Sequence, residues 1–73
     1  MTMLDQLKPN KLARIVEIDE EHGLRQKLFS REITEGSIVR VISSYGLITF
    51  EIGRKTFAIG CDMAQKIRVI RVI

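Results

Sequence analysis

Residues 19 to 22 read Asp-Glu-Glu-His, three carboxylates in a row followed by the only histidine of the chain. Carboxylate oxygens and an imidazole are the donors that hold hard and borderline divalent ions, so Asp19, Glu20, Glu21 and His22 are the candidate ligands for a divalent metal. Consecutive side chains diverge, however, and no second histidine, cysteine pair or spaced carboxylate completes a first shell. The same stretch leads into HGLRQKLFSR, where carboxylates are favoured by the positive end of a helix dipole. The pattern fits a helix start better than a metal centre.

Other chemistry is sparser. Cys61 stands beside Asp62 and Met63, but one thiol is too little for a soft-metal site, and its place at the start of a helical turn suits a small packed residue. A single cysteine cannot form an internal disulfide, which fits a reducing compartment. The chain has no Ser-His-Asp or Cys-His signature, no Gly-rich phosphate loop and no carboxylate pair in an apolar setting, so no enzymatic activity is expected.

Composition narrows the classes further. With 73 residues, 45% hydrophobic and 29% charged, the chain should fold as one domain over residues 1–73, with nearly every large apolar residue needed for its core. The net charge of +3 is spread along the whole length, and only one Tyr and three Phe are present, so no nucleic-acid partner is expected. No apolar run approaches the roughly 18 residues of a spanning helix, and the N-terminal residues lack the pattern of a signal peptide. The expectation is a cytoplasmic protein with no direct membrane insertion.

Positioning falls to short elements. Glycines at 23, 36, 46, 53 and 60 break the chain at regular intervals, and the apolar pattern between them mainly has period two. KLARIVEID reads as a first strand whose core face is ambiguous. SIVRVIS follows Gly36, with either Ile38 and Ile42 or Val39 and Val41 inward. GLITFEIG alternates cleanly, with Ile48, Phe50 and Ile52 on one face, and turns at Gly53 and Arg54 into KTFAI. KIRVIRVI is the last strand, preceded by a single helical turn at CDMAQK. Helical spacing occurs in HGLRQKLFSR, where Leu24 and Leu28 share a face. The expected fold is mainly β with short helices: a small SH3-like β-barrel of about five strands, with a helix between strands one and two.

The runs LDQLKPNKLARIVEID, LRQKLFSREITEGSIVRVI and FEIGRKTFAIGCDMAQKIRV resemble the FeoA domain over about residues 4 to 69. Leu4 and Leu7 fit its entry motif, Arg25 and Leu28 its helix, Ile33 and Gly36 the following turn, and Ala58, Ile59, Ala64, Ile67 and Val69 its close. Asn10 or Lys11 and Glu32 stand where the family has glycine, so Asn10 should accept a left-handed backbone and Glu32 should be strained by one. The resemblance implies a small SH3-like barrel acting as a non-enzymatic accessory or regulator of ferrous-iron uptake, docked on the transporter FeoB. A related domain ends some iron- and manganese-dependent repressors, so the alternative the resemblance implies is a metal-sensing module that binds Fe(II) or another divalent metal.

Docking needs surface. Leu24, Leu28, Phe29 and Ile33 are more apolar residues than one short helix needs, and they suggest a groove rimmed by cations. The candidate partner-binding residues are Arg25, Leu28, Phe29, Arg31 and Arg54. An exposed final strand would also offer an edge to a second copy, giving a homodimer.

Overall fold

In the computed structural model, residues 2–19 and 23–72 are described. Six antiparallel strands form one sheet: β1 (Thr2–Met3), β2 (Leu12–Ile18), β3 (Ile38–Ser43), β4 (Ile48–Ile52), β5 (Lys55–Ile59) and β6 (Ile67–Arg71). A 3-10 turn, Leu4–Gln6, joins β1 towards β2, helix α1 (Leu24–Phe29) lies between β2 and β3, and helix α2 (Cys61–Ala64) leads into β6.

The strand order is β1-β6-β2-β3-β4-β5, a linear order with β1 and β5 at its ends. The expected barrel of about five strands is thus a sheet of six strands that does not close. Closure would require pairing between β1 and β5, and among the described residues the two-residue β1 pairs only with β6. Two residues carry no periodicity, so this strand leaves no trace in the apolar pattern. Because β1 precedes it, the strand before the helix is the second in chain order. The final strand is not an edge either: β6 lies between β1 and β2, and the edges left for a second copy are β1 and β5.

One face of the sheet is buried throughout. Ala13, Ile15 and Ile18 of β2, Val39 and Val41 of β3, Ile48 and Phe50 of β4, Ile59 of β5 and Ile67 and Val69 of β6 all point into one core. The helices are too short to cover such an area. The sheet must therefore curl over its own side chains, in keeping with nearly equal extents of 29 × 25 × 24 Å. Leu4 and Leu7 beside the 3-10 turn, Leu24 and Leu28 of α1, Ile33 and Ala64 fill the remaining openings.

The ambiguous face of β2 has a local cause. Ile15 pairs with Val69, yet Glu17 pairs with Arg68 and Ile18 with Ile67, so Val16 is an extra residue in the ladder. A bulge shifts the phase of alternation by one. The core face therefore passes from odd-numbered Ala13 and Ile15 to even-numbered Ile18. In β3 the valines face inward, and Ile38 and Ile42 are exposed. The hairpin of β4 and β5 turns on Gly53 at φ 61, the first central position, where two-residue turns of the II′ kind require glycine.

Candidate functional site: the face around helix α1

Helix α1 ends in a Schellman motif. The Ile33 N–H donates to Leu28 O at 2.9 Å, and the Glu32 N–H to Phe29 O at 2.9 Å, which together close the last turn. Glu32 occupies the left-handed position at φ 66, where glycine normally sits. Leu28 and Ile33 supply the apolar contact that accompanies the motif, and both are buried. The expected strain at Glu32 is thus present, and Asn10, at φ 69, takes the other left-handed position.

A testable outcome follows at this position. Glu32→Gly should stabilise the domain by about 1 kcal/mol, because a left-handed backbone costs an L-residue roughly 1–2 kcal/mol and glycine gives part of that back in unfolded-chain entropy. The ion pair of Glu32 with Lys55 is exposed at both ends and subtracts little. Thermal melts should show a rise of about 4–8 °C, and an unchanged or lowered melting temperature would contradict the strain.

Beside the helix lies an open depression of about 220 Å³, lined by Ile18, Arg25, Phe29, Ile33, Thr34 and Glu35. Glu35 fixes its wall. One of its oxygens, Oε2, accepts from Arg25 Nη2 at 2.6 Å and from the Ile18 N–H at 3.2 Å, tying α1 to the end of β2. The Arg25 hydrogen bond, then that of Ile18, holds the Glu35 carboxyl below its ordinary pKa. The tie therefore survives to a lower pH than an ordinary glutamate would allow. Glu35 itself is carried by the turn at Gly36, whose N–H donates to Ile15 O at 2.7 Å with φ at 94.

The candidate docking residues separate on this face. Phe29 is 68% exposed at the rim of the depression, and Arg25 lies beside it. Arg31 and Arg54 are exposed, and the Glu32–Lys55 pair brings their stretches of chain together. Leu28 does not belong to the surface. At 1% exposure it is a core residue, and the second side chain that four-residue spacing seemed to offer a partner is spent beneath the helix. Glu35, Ile18 and Thr34 are the lining residues that sequence reasoning missed. Ten residues separate Glu35 from Arg25, beyond the reach of any helical spacing rule.

The acidic stretch is only partly described. Asp19 closes the end of β2, where its Oδ1 accepts from Arg68 Nη1 at 2.6 Å, and the same guanidinium nitrogen reaches Glu17 Oε1 at 2.6 Å. Hydrogen bonding and charge from Asp19, and then from Glu17, raise the pKa of Arg68 further. Asp19 thus has a structural partner. Glu20, Glu21 and His22 lie outside the described residues, and among the described residues no three metal-ligating side chains converge. Cys61 is exposed, and its Sγ–H points to Gly46 O at 3.2 Å.

A small antiparallel sheet curled over one core, with a short helix closing one of its openings and no membrane-length apolar helix among the described residues, defines an SH3-like module. The FeoA domain family matches residues 2–71, and the chain belongs to that family. The crystal structure of an iron uptake regulatory protein (FeoA) is 33% identical, with a TM-score of 0.85, and the match covers 94% of this chain and 93% of that one. Iron(II) transport protein A from Clostridium thermocellum is 23% identical at a TM-score of 0.86, covering 97% of this chain and 46% of that one. A manganese-dependent transcriptional repressor shares the fold at 21% identity and a TM-score of 0.89, with 97% of this chain matched to 41% of the repressor. No curated protein sequence matches.

Proposed function

We propose that this FeoA-family domain is a non-enzymatic, cytoplasmic accessory of ferrous-iron uptake that acts by docking on the cytoplasmic part of the transporter FeoB. Family membership supports the pathway, and the iron uptake regulatory protein it resembles supports a regulatory role. The observation that carries the docking face is Phe29, a large aromatic left 68% exposed beside a depression in a domain that buries sixteen apolar side chains among its described residues. Buried aromatic anchors with neighbouring arginines supply most of the binding energy in protein interfaces. Arg31 and Arg54 give this face a positive charge that selects an acidic partner surface, while the charge of Arg25 is offset by Glu35.

The test is calorimetric titration of the cytoplasmic domain of FeoB with this protein and with Phe29→Ser and Arg31→Glu variants. Both positions are exposed, so the amide spectra of the variants should remain dispersed. Affinity should fall roughly tenfold or more for each, the loss of 1.4 kcal/mol or above that an interface anchor represents. Folded variants that bind as the parent does would remove this face from the reading.

The likeness to a manganese-dependent repressor favours one second reading, a metal-sensing module with Asp19, Glu20, Glu21 and His22 as ligands. It predicts saturable amide shifts at residues 19 to 25 when Fe(II) is added without oxygen. The engagement of Asp19 by Arg68 weighs against it, since a metal would have to displace that guanidinium.

A further inference from the structure

We propose that the end of the sheet opposite the α1 face carries an anion site, formed by Lys8, Lys11 and Arg71 and suited to a phosphate group. These residues, with Thr2, Gln6 and Leu7, line a second depression of about 340 Å³. The topology explains their convergence. Lys8 and Lys11 flank the turn that enters β2, and Arg71 ends β6, where it pairs with Ala13. Ala13 faces the core, so Arg71 points the same way but emerges at the mouth of the curled sheet.

Among the described residues, the charge on this rim is uncompensated. Arg25, Arg40, Lys55 and Arg68 each hold a carboxylate. Lys8, Lys11 and Arg71 hold none among the described residues, and no carboxylate lines the depression. Three like charges drawn to one concavity repel one another, and an anion between them removes that cost. The donor set favours phosphate over an extended acidic segment. A guanidinium fork binds two phosphate oxygens at once, ammonium groups add point charge, and the Thr2 hydroxyl and Gln6 amide can donate to a third oxygen. Leu7 is the one large apolar lining residue and is itself buried, which leaves little for a peptide's side chains to pack against.

The experiment follows amide NMR shifts at constant ionic strength during titration with inorganic pyrophosphate, with chloride as the control. Sedimentation with vesicles containing phosphatidic acid, against neutral phosphatidylcholine vesicles, runs in parallel. Saturable shifts confined to residues 2, 6 to 8, 10, 11 and 71, weakened roughly tenfold or more in Lys11→Ser and Arg71→Gln, would assign the site to a free phosphate. Co-sedimentation with phosphatidic acid alone, lost in the same variants, would assign it to a lipid headgroup. All three cations are exposed, so these variants should fold, and their amide dispersion checks that they do. Shifts that match those from chloride, or that the variants leave unchanged, together with no vesicle binding, would overturn the proposal.

Discussion

Leu28→Glu should abolish folding. The side chain is 1% exposed, and its backbone carbonyl accepts the hydrogen bond that closes the helix exit. A carboxylate placed there either ionises in an apolar core or must be kept protonated, at a cost of several kcal/mol in either case. The apolar contact with Ile33 is lost as well. A domain of this size has a total stability of about 4–11 kcal/mol, so one such replacement takes most or all of it. Far-UV circular dichroism and the amide spectrum report the outcome. A dispersed spectrum with a cooperative melt would mean that α1 packs less tightly on the sheet than its burial states.

Phe50→Ala is the second large effect. Phe50 is fully buried in β4, faces Val41 of β3 and Phe57 of β5 across the ladder, and stacks on the Phe57 ring at 5.6 Å and 29°. Truncation removes the largest fully buried side chain and leaves a cavity that the flanking strands cannot fill without breaking register. The expected loss is about 3–5 kcal/mol. Phe57→Ala should cost less, because Phe57 is only partly buried at the edge of the core. Urea melts of the two variants give the comparison. Equal losses would show that the aromatic stack, and not the volume beneath it, governs this corner.

The sequence reveals most where alternation is unbroken. β4 reads directly, since Ile48, Phe50 and Ile52 face the core and Thr49 and Glu51 do not share that face. β2 is legible as a strand but not in its facing, because the bulge at Val16 changes phase within seven residues. The strain at Glu32 is foreseen from a family glycine replaced by glutamate. The open, linear order of the sheet is not: it ends on β1, two residues without a pattern. Of the docking set, Phe29, Arg25, Arg31 and Arg54 are surface residues, whereas Leu28 shows that helical spacing identifies an apolar face without saying which side chains the core consumes. The Arg25–Glu35–Ile18 tie joins three separate segments, and pairings of that kind are set only once the chain has folded.

The place of β6 between β1 and β2 has a consequence for how the chain is made. The β1 end of the sheet joins residues far apart in sequence, with Ala13 opposite Arg71 and Thr2 opposite Val69. Non-local pairings of this kind are slow to form, since the closing of a long loop precedes any gain from the ladder. During synthesis β1 and β2 must wait, with a gap one strand wide between them, until residues 67–71 have left the ribosome. The hairpin of β4 and β5 can form earlier, but the domain is completed by its last strand sliding into that gap.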